Sequence, residues 1–458
     1  MKKTIVIALS LLLAVPSFGA KKEAKETSPV KEHLQSHFKF YGFIRNYFTF
    51  DTRESVSGTG NLFYYLPKDQ NLNEAGEDLN KQSQFRFLAL TSRVGVDVSG
   101  YYVNNVHFGA KVEADFYAGL TGSTGTATLR LRQAFATVTW KELPMLGEQN
   151  AQVGLKIGQA WHPMAADHPH VFSLEVGAPF GPFSRTPLVQ MDADLGKHWT
   201  ITAAAIWQMQ YTSSGPVYDE TKKIYSSGSS ADFIKYGCTP ELYAGLTYKT
   251  NGFLVRAGVD MVSIKPRITN IEIKTDGAGN DTKTTTKVKE RITTLSPFVY
   301  LQYSYKLFSV KAKTVYGSAG EHLNLMGGYA KVGENPDGSW EYAPTHNSSS
   351  WLSLSLGKKW QGVLFLGYVK NFGLCDGASS TPIAKGDIYF CKNGFANINQ
   401  MYRINPEIMY NFGKFTVGLE YQYTAVQYGD NFNEKALATE GTRWIGNNRV
   451  QAMVKFTF

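Results

Sequence analysis

The sequence predicts an all-β protein, a transmembrane antiparallel β-barrel of about 16 strands. Three observations support this fold class: the composition, stretches in which apolar and polar residues alternate, and connections that alternate between long and short. The chain has 26 Tyr, 28 Phe and 43 Gly in 458 residues, and only 19% of its residues are charged. Such a composition favours strands over helices.

The first twenty residues have the form of a secretory signal peptide. Lys2 and Lys3 precede an apolar stretch over 4–15, and small residues follow up to Ala20. The alternative, a membrane-anchoring helix, is disfavoured because the apolar stretch is too short to span a bilayer comfortably. We therefore expect export through a signal peptide over 1–20, which is cleaved.

The rest of the chain is predicted to form one domain. A short polar segment over 21–37 reads as a periplasmic N-terminal tether, and the barrel domain is expected over 38–458. No other apolar stretch is long enough for a transmembrane helix. A soluble all-β protein of this length would split into domains joined by linkers, and no linker is visible.

The clearest alternation is found over 105–117. Its apolar set is Val106, Phe108, Ala110, Val112, Ala114 and Phe116, and its polar set is His107, Lys111, Glu113, Asp115 and Tyr117. A slip of one residue would turn the charged side chains toward lipid, where a lysine at mid-depth costs about 2–4 kcal/mol. The end of the chain, Val450 to Phe458, alternates in the same way. We expect this last strand to close the barrel, with Phe458 at the periplasmic interface.

Sixteen such segments are predicted, at 38–50, 84–99, 105–117, 128–140, 151–160, 186–195, 198–211, 239–249, 252–265, 292–306, 307–317, 350–358, 361–372, 400–412, 413–427 and 444–458. Short links such as DLGK, KTNG and NFGK separate alternate pairs, and long polar links separate the others. An outer-membrane barrel has this arrangement, with short periplasmic turns and long external loops.

A closed sheet of this size encloses an aqueous channel, whereas eight strands leave an interior filled by side chains. We therefore predict a pore for passive diffusion of small hydrophilic solutes. The formal net charge of +9 favours a weak preference for anions and carboxylates. Catalytic, nucleotide and nucleic-acid motifs are absent from the sequence, so we expect neither an enzyme nor a cofactor. The alternatives are a substrate-specific channel, or a surface-exposed barrel that binds partners as an adhesin through its long loops.

Short motifs add a family resemblance. SRVGVDVSG, RQAFATV and the terminal Phe458 resemble the general trimeric porins of Gram-negative outer membranes. LRLRQAFATVTW, LKIGQAWHP and SRTPLVQMD are similar to the DcaP-type porins, a group implicated in dicarboxylate uptake, and GYVKNFG is similar to porins of the Bacteroidetes. The resemblance implies a homotrimer in the outer membrane, surrounded by the lipid bilayer and lipopolysaccharide. DcaP-type porins carry a longer N-terminal coiled coil than the tether here.

The resemblance also implies that the third external loop, over 161–184, folds into the barrel and narrows the pore. The loop residues that we expect at the constriction are Asp167, Glu175, Phe180 and Phe183. The loop has few charges and many apolar residues, which suits packing against a wall. His162, His168 and His170 raise the possibility of a metal site, but spacing alone is weak evidence and we predict none.

Arginines are expected opposite this loop. By their motif positions Arg93 and Arg132 resemble members of the arginine ladder of general porins, Arg130 shares a face with Arg132, and Arg185 follows the loop. With Lys111 and Lys156 they form the predicted anion-facing set, and the predicted opposing acids are Asp97, Glu113 and Asp115. The alternative is that these arginines are neutralised by their neighbours. Further interior candidates are Arg256, Lys311, Lys313, Arg403, Arg449, Lys455, Asp260, Glu407 and Glu420.

The chain has three cysteines. Cys375 and Cys391 are candidates for a disulfide within one loop in an oxidising compartment, whereas Cys238 has no evident partner.

Overall fold

A single antiparallel sheet, closed on itself, forms the wall of the molecule. The structure, a computed structural model, describes residues 37–58, 63–89, 91–117, 128–143, 151–277, 279, 281–390 and 396–458. The wall has sixteen strand positions, because two segments, both paired with the first strand, together occupy the second position. The strands are β1 Phe38–Asp51, β2 Gln84–Leu88 with Arg93–Val103, β3 Val106–Tyr117, β4 Thr128–Lys141, β5 Gln152–Trp161, β6 Arg185–Leu195, β7 Trp199–Ile206, β8 Glu241–Thr250, β9 Phe253–Ile264, β10 Ile292–Tyr305, β11 Phe308–Ser318, β12 His346–Gly357, β13 Trp360–Gly373, β14 Ile398–Phe412, β15 Phe415–Phe432 and β16 Ala438–Thr457.

The first and last strands close the barrel, as the sequence predicts. Asp51 of β1 lies opposite Arg449 of β16, and Phe43 lies opposite Thr457. The backbone N–H of Phe458 donates to the carbonyl of Gly42 at 3.0 Å. Closure pairs the edge groups that an open sheet would leave unbonded.

The predicted faces are confirmed along the strands. In β3, Phe108 is 42% exposed and Val112 is 46% exposed, whereas Glu113 and Asp115 are 4% and 3% exposed. The final strand follows the same rule, with its valines outside and Arg449 inside. The outer surface is therefore apolar, and charged side chains point into the barrel.

The connections alternate between the two ends of the barrel. Short turns at one end cover 104–105, 196–198, 251–252, 306–307, 358–359 and 413–414, and the connections at the other end include 52–83, 162–184, 207–240, 265–291, 319–345 and 374–397. The long connections contain small sheets made of Ser55–Gly58 with Phe63–Pro67, Ser214–Asp219 with Ile224–Ser229, Thr269–Thr275 with Asp281–Lys287, and Gly328–Glu334 with Trp340–Pro344 and Ile388–Phe390. They also contain the helix Asp232–Gly237 and the 3₁₀ turns Pro163–Ala165, Gly320–Leu323 and Lys385–Asp387. None of the helices among the described residues is long and apolar enough to span a membrane.

The largest differences between the observed and predicted strand boundaries lie in two places. The alternation over 198–211 predicts a longer strand than β7, which ends at Ile206. The chain leaves the wall there because the Gln208 side chain forms hydrogen bonds with the backbone N–H and hydroxyl of Ser213, at 2.9 and 3.0 Å. The last hairpin is longer than predicted, since β15 and β16 continue outward as a ladder to Phe432 and Ala438.

The main hydrophobic core lies inside the barrel, where loops pack against the wall. Its largest cluster joins Phe180 and Leu323 from two long connections to Phe365 and Val369 of β13. The long connections thus fill part of the interior and leave cavities between themselves and the wall.

Candidate functional site: a basic cavity inside the barrel

The connection over 162–184 is hydrogen-bonded to side chains of several wall strands. Phe172 N–H donates to Glu407 of β14 at 3.2 Å, and His170 N–H donates to Ser353 of β12 at 2.9 Å. Lys313 of β11 donates to the Met164 carbonyl at 2.7 Å. These contacts place the segment against the inner face of the barrel wall.

The four loop residues expected at the constriction are held by different partners. Asp167 accepts from Arg256 of β9 at 2.6 Å, and Glu175 accepts from Gln422 of β15 at 2.8 Å. Phe180 packs edge-on against Phe365, with ring centroids 6.2 Å apart, and Phe183 packs edge-on against Trp161 at 5.3 Å. Three of these loop residues, Glu175, Phe180 and Phe183, are buried. The two phenylalanines pack into the interior core.

A cavity of about 370 Å³ lies between this segment and the wall, and its wall residues come from β1 to β6, β13, β14 and β16. Its lining is strongly basic: the charged side chains are Arg45, Arg93, Arg130, Arg132, Arg185, Lys455 and one acid, Asp115. Trp161, Phe172 and Phe183 supply apolar surface. The structure thus brings all four predicted arginines to one cavity.

Two carboxylates neutralise part of this charge. Asp115 accepts from Nε and Nη2 of Arg130, both at 2.9 Å, and from Nη1 of Arg132 at 2.8 Å. Glu113 accepts from Nε of Arg132 at 2.8 Å and lies 3.5 Å from Arg93. Three guanidinium groups therefore share two carboxylates, so the predicted alternative of local neutralisation holds for these arginines only in part.

The other cations of the cavity have no such partner. Within the described ranges, no carboxylate lies within 4.0 Å of the charged nitrogens of Arg45, Arg185 or Lys455. Arg45 donates to the Thr91 hydroxyl at 3.2 Å, and Arg185 donates from Nε to the Gln210 side-chain oxygen at 3.1 Å. The Nη1 atom of Arg185 is buried and has no hydrogen-bond partner. The cavity therefore carries a clear excess of positive charge.

The remaining predicted residues lie elsewhere in the barrel. Lys111 pairs with Asp97 at 2.6 Å, nearer the end with the short turns. Lys156 lines a second cavity, also of about 370 Å³, together with Asp192 and Arg256. The predicted anion-facing set is thus divided between the arginine cavity and two other places.

Arg45 is the cavity residue that the sequence interpretation missed. It follows the alternation of β1, on the same face as Phe43 and Tyr47, and its guanidinium lies 4.7 Å from the Phe43 ring centre. The alternation alone would have placed it inside the barrel. Lys455, predicted only as a general interior candidate, lines the same cavity.

The three loop histidines do not share a site. His162 Nε2 lies 2.6 Å from Glu241, His168 packs edge-on against Trp161 at 4.4 Å, and His170 contacts the Ser309 hydroxyl at 3.1 Å. A metal site made of the three is therefore wrong.

Burial and nearby lysines keep two of these histidines neutral. Burial lowers the pKa of His168 to about 3, with Lys313 and Lys311 adding to the effect. Burial, together with Lys311, also lowers the pKa of His170 to about 4. Neither ring therefore adds positive charge to the interior at neutral pH.

The cysteines give no positive evidence for a disulfide. Cys238 and Cys375 are exposed free thiols, and the Cys375 sulfur lies 3.4 Å from Nε2 of His346. Cys391, the partner proposed for Cys375, lies outside the described residues.

Comparison with known proteins gives a structural likeness only. No family model matches the chain, and no curated protein sequence matches it. The outer membrane channel DcaP of Acinetobacter baumannii superposes with a TM-score of 0.57 at 15% identity, over 92% of this chain and 97% of that chain. OmpT, an outer membrane protein of Vibrio cholerae, superposes with a TM-score of 0.47 at 13% identity, over 92% of this chain and 97% of that chain. An anion-selective porin from Comamonas acidovorans superposes with a TM-score of 0.47 at 9% identity, over 92% of this chain and 99% of that chain. The likeness to DcaP shows that this chain has that fold, as the motif resemblance predicts.

Proposed function

We propose that the protein is a non-enzymatic porin of the bacterial outer membrane, a water-filled channel for small hydrophilic solutes with a preference for anions, carboxylates in particular. The observation that carries this proposal is the excess of cations around the interior cavity. Six cationic side chains line it, and two carboxylates, Glu113 and Asp115, are paired with three of them.

The preference follows from electrostatics inside a narrow aqueous space. Fixed charges of one sign raise the local concentration of counter-ions, and low-dielectric walls strengthen the effect. Guanidinium groups bind carboxylates through two parallel hydrogen bonds, which a lysine ammonium does not offer. Arg185 lines this cavity, and no carboxylate among the described residues pairs with it, so its charge adds to the field that a passing carboxylate meets.

The cellular setting is part of the same proposal. The apolar outer face supports contact with the lipid bilayer, and a cleaved signal peptide over 1–20 would take the chain across the inner membrane. The motif resemblance supports a homotrimer that is bounded by lipopolysaccharide on its outer side.

Reversal potentials test the function directly. The mature chain, reconstituted in a planar bilayer, is placed under a KCl gradient, and the zero-current voltage gives the chloride-to-potassium permeability ratio. We expect open channels with a ratio above one, and three equal conductance steps per insertion for a trimer. Liposome-swelling rates should be faster with a dicarboxylate than with an uncharged solute of equal size. Cation selectivity would contradict the preference, and silence over many insertions would contradict the channel.

A further inference from the structure

Four buried ionisable side chains from four chain segments meet in a cluster, and none of them lines the arginine cavity. His162 follows β5, Glu241 begins β8, Asp260 lies in β9, and His322 lies in the 3₁₀ turn Gly320–Leu323. The exposed fraction of each residue is 2% or less. His322 Nε2 lies 3.0 Å from Asp260 Oδ2 and 3.6 Å from Glu241 Oε1, and His162 Nε2 lies 2.6 Å from Glu241 Oε1.

Several polar atoms of this cluster lack partners. Oε2 of Glu241, Oδ1 of Asp260 and Nδ1 of His322 are buried without a hydrogen bond. Among the residues that the structure describes, no lysine or arginine forms an ion pair with either carboxylate. Native proteins satisfy or neutralise nearly all such groups, because an unpaired buried charge is costly. Within the described residues the two carboxylates are thus paired only with the two imidazoles, and three polar atoms of the cluster remain open to a further ligand.

The hydrogen bonds indicate that the two histidines have different roles. The Met164 backbone N–H donates to Nδ1 of His162 at 3.0 Å, so the neutral ring carries its proton on Nε2. That proton is directed at Glu241, and His162 is thus a donor that orients a carboxylate. Among the described residues, no group forms a hydrogen bond with Nδ1 of His322. This ring is therefore able to carry its proton on Nδ1 and offer the Nε2 lone pair to a ligand.

We propose that Glu241, Asp260 and His322 bind one Zn²⁺ ion, with His162 as the second-layer donor that fixes Glu241. One imidazole and two carboxylates match the nitrogen and oxygen ligands that Zn²⁺ accepts. Zinc bonds of 2.0–2.1 Å in a tetrahedron separate ligand atoms by roughly 3.3 Å. The separations of 3.0 and 3.6 Å around His322 Nε2 bracket that value. One divalent cation also cancels the charge of the two carboxylates.

The ion would crosslink the wall and the interior loops of the barrel. Its ligands join the wall at β8 and β9 to the turn Gly320–Leu323, and His162 extends the link to the loop over 162–184. Metal binding would thereby stabilise two interior loops at once. This role differs from the earlier expectation of no metal, and it is independent of the proposed ion selectivity.

Metal content of the full mature chain tests the site. The protein is refolded in detergent with Zn²⁺, dialysed against metal-free buffer and analysed by mass spectrometry for bound zinc. We expect about one equivalent per chain in the wild type, and background zinc in the double variant E241Q/H322Q. The matched control is H170Q, which removes a histidine of the loop over 162–184 that lies outside the cluster and should keep the full equivalent. Less than about a tenth of an equivalent in the wild type would overturn the proposal, as would full retention by the double variant.

A second measurement uses only the wild-type protein, so it does not require any variant to fold. Wild-type protein is unfolded in denaturant with a chelator or with free Zn²⁺ at 100 times its dissociation constant. A site present only in the folded state should raise the folding equilibrium constant about 100-fold. Identical unfolding curves in the two conditions would show that the two imidazoles alone, as cations, balance the carboxylates, and would overturn the zinc site.

Discussion

Arg185 and Trp161 face each other on adjacent strands, with the guanidinium carbon 5.0 Å from the centre of the indole ring. The indole covers one side of the guanidinium, and Gln210 accepts from its backbone N–H and Nε at 3.0 and 3.1 Å. These contacts fix the side chain but supply no negative charge. Arg185 is thus a positioned, largely buried cation of the cavity lining, and no carboxylate among the described residues neutralises its charge.

The first prediction concerns this residue. Substitution R185Q should lower the chloride-to-potassium permeability ratio by roughly two- to three-fold, because a fixed uncompensated charge is lost from the cavity wall. R185K should retain most of the ratio for chloride but lose affinity for a dicarboxylate that blocks the current, since lysine lacks the bidentate fork. Reversal potentials and blocking titrations measure the two effects.

The matched control for R185Q is K223Q. Lys223 is an exposed cation of a loop hairpin, paired with Asp281, so the net charge falls by the same amount outside the cavity. The selectivity of K223Q should equal that of the wild type. An equal fall in both variants would show that overall charge, and not the cavity, sets the preference.

A second prediction follows from the acid that Arg130 and Arg132 share. D115N removes a 3% exposed carboxylate that accepts hydrogen bonds from both guanidiniums. We expect a higher anion-to-cation permeability ratio, because Asp115 is the only acid among the described residues that line the cavity. Stability should fall by about 1–3 kcal/mol, since two partly buried cations lose acceptors. Reversal potentials and denaturant unfolding give the two readouts, and an unchanged ratio would contradict the electrostatic account.

The fold could be predicted largely from the sequence because alternation is a local property. The polar face of 105–117 indicates at once that Glu113 and Asp115 lie inside, and the structure agrees. The side-chain period of two also places Arg93, Arg130 and Arg132 on inner faces. Which of them neutralise one another depends on cross-strand register, which brings Asp115 opposite Arg130 and Arg93. The register between two strands cannot be predicted from the sequence of either strand alone.

The contacts made by the loops were beyond prediction for a related reason. His322 and Asp260 are 62 residues apart in sequence, and their contact exists only because a long connection folds back into the barrel. No periodicity describes such a connection. Arg45 is a different case, because the alternation of β1 does place it inside the barrel. It was missed only because no family motif surrounds it.

The third prediction concerns acid. The pKa values of His168 and His170, about 3 and 4 through burial, lie below the ordinary value of 6.5. The unfolded or released loop therefore binds protons below pH 6.5 that the attached loop does not bind. Attachment of the loop should be fully present above pH 6.5 and weaken as the pH falls toward 4. Single-channel recordings should show added conductance fluctuations at pH 4.5 that are absent at pH 7.5.

The matched variant is H168Q/H170Q, whose side chains do not titrate. Its recordings should change much less between pH 7.5 and pH 4.5 than those of the wild type. If the variant responds to acid as strongly as the wild type, the fluctuations arise from other groups, and this explanation of the acid response is incorrect.

The fourth prediction concerns closure of the barrel. A Cβ atom added at Gly42 would lie 2.5 Å from the Phe458 ring and 2.6 Å from the carbonyl oxygen of Arg93. The ring is able to rotate away, but the backbone carbonyl is not. G42V should therefore slow or prevent closure and give a barrel that unfolds in detergent at a lower temperature. G42V with a stability equal to that of the wild type would contradict the tight packing at this seam.

The last prediction tests whether the loop over 162–184 limits the current. A Cβ atom at Gly367 of β13 would lie 2.5 Å from the ring of Phe180, a fully buried loop residue. G367V should push Phe180 and its loop from the wall, because two side chains cannot occupy one space. We expect a larger single-channel conductance together with a permeability ratio closer to one. Gly362, on the same strand, has no atom within 4 Å of an added Cβ, so G362V is the matched control and should conduct as the wild type does. Equal conductance of G367V and G362V would show that the narrowest part of the channel lies elsewhere.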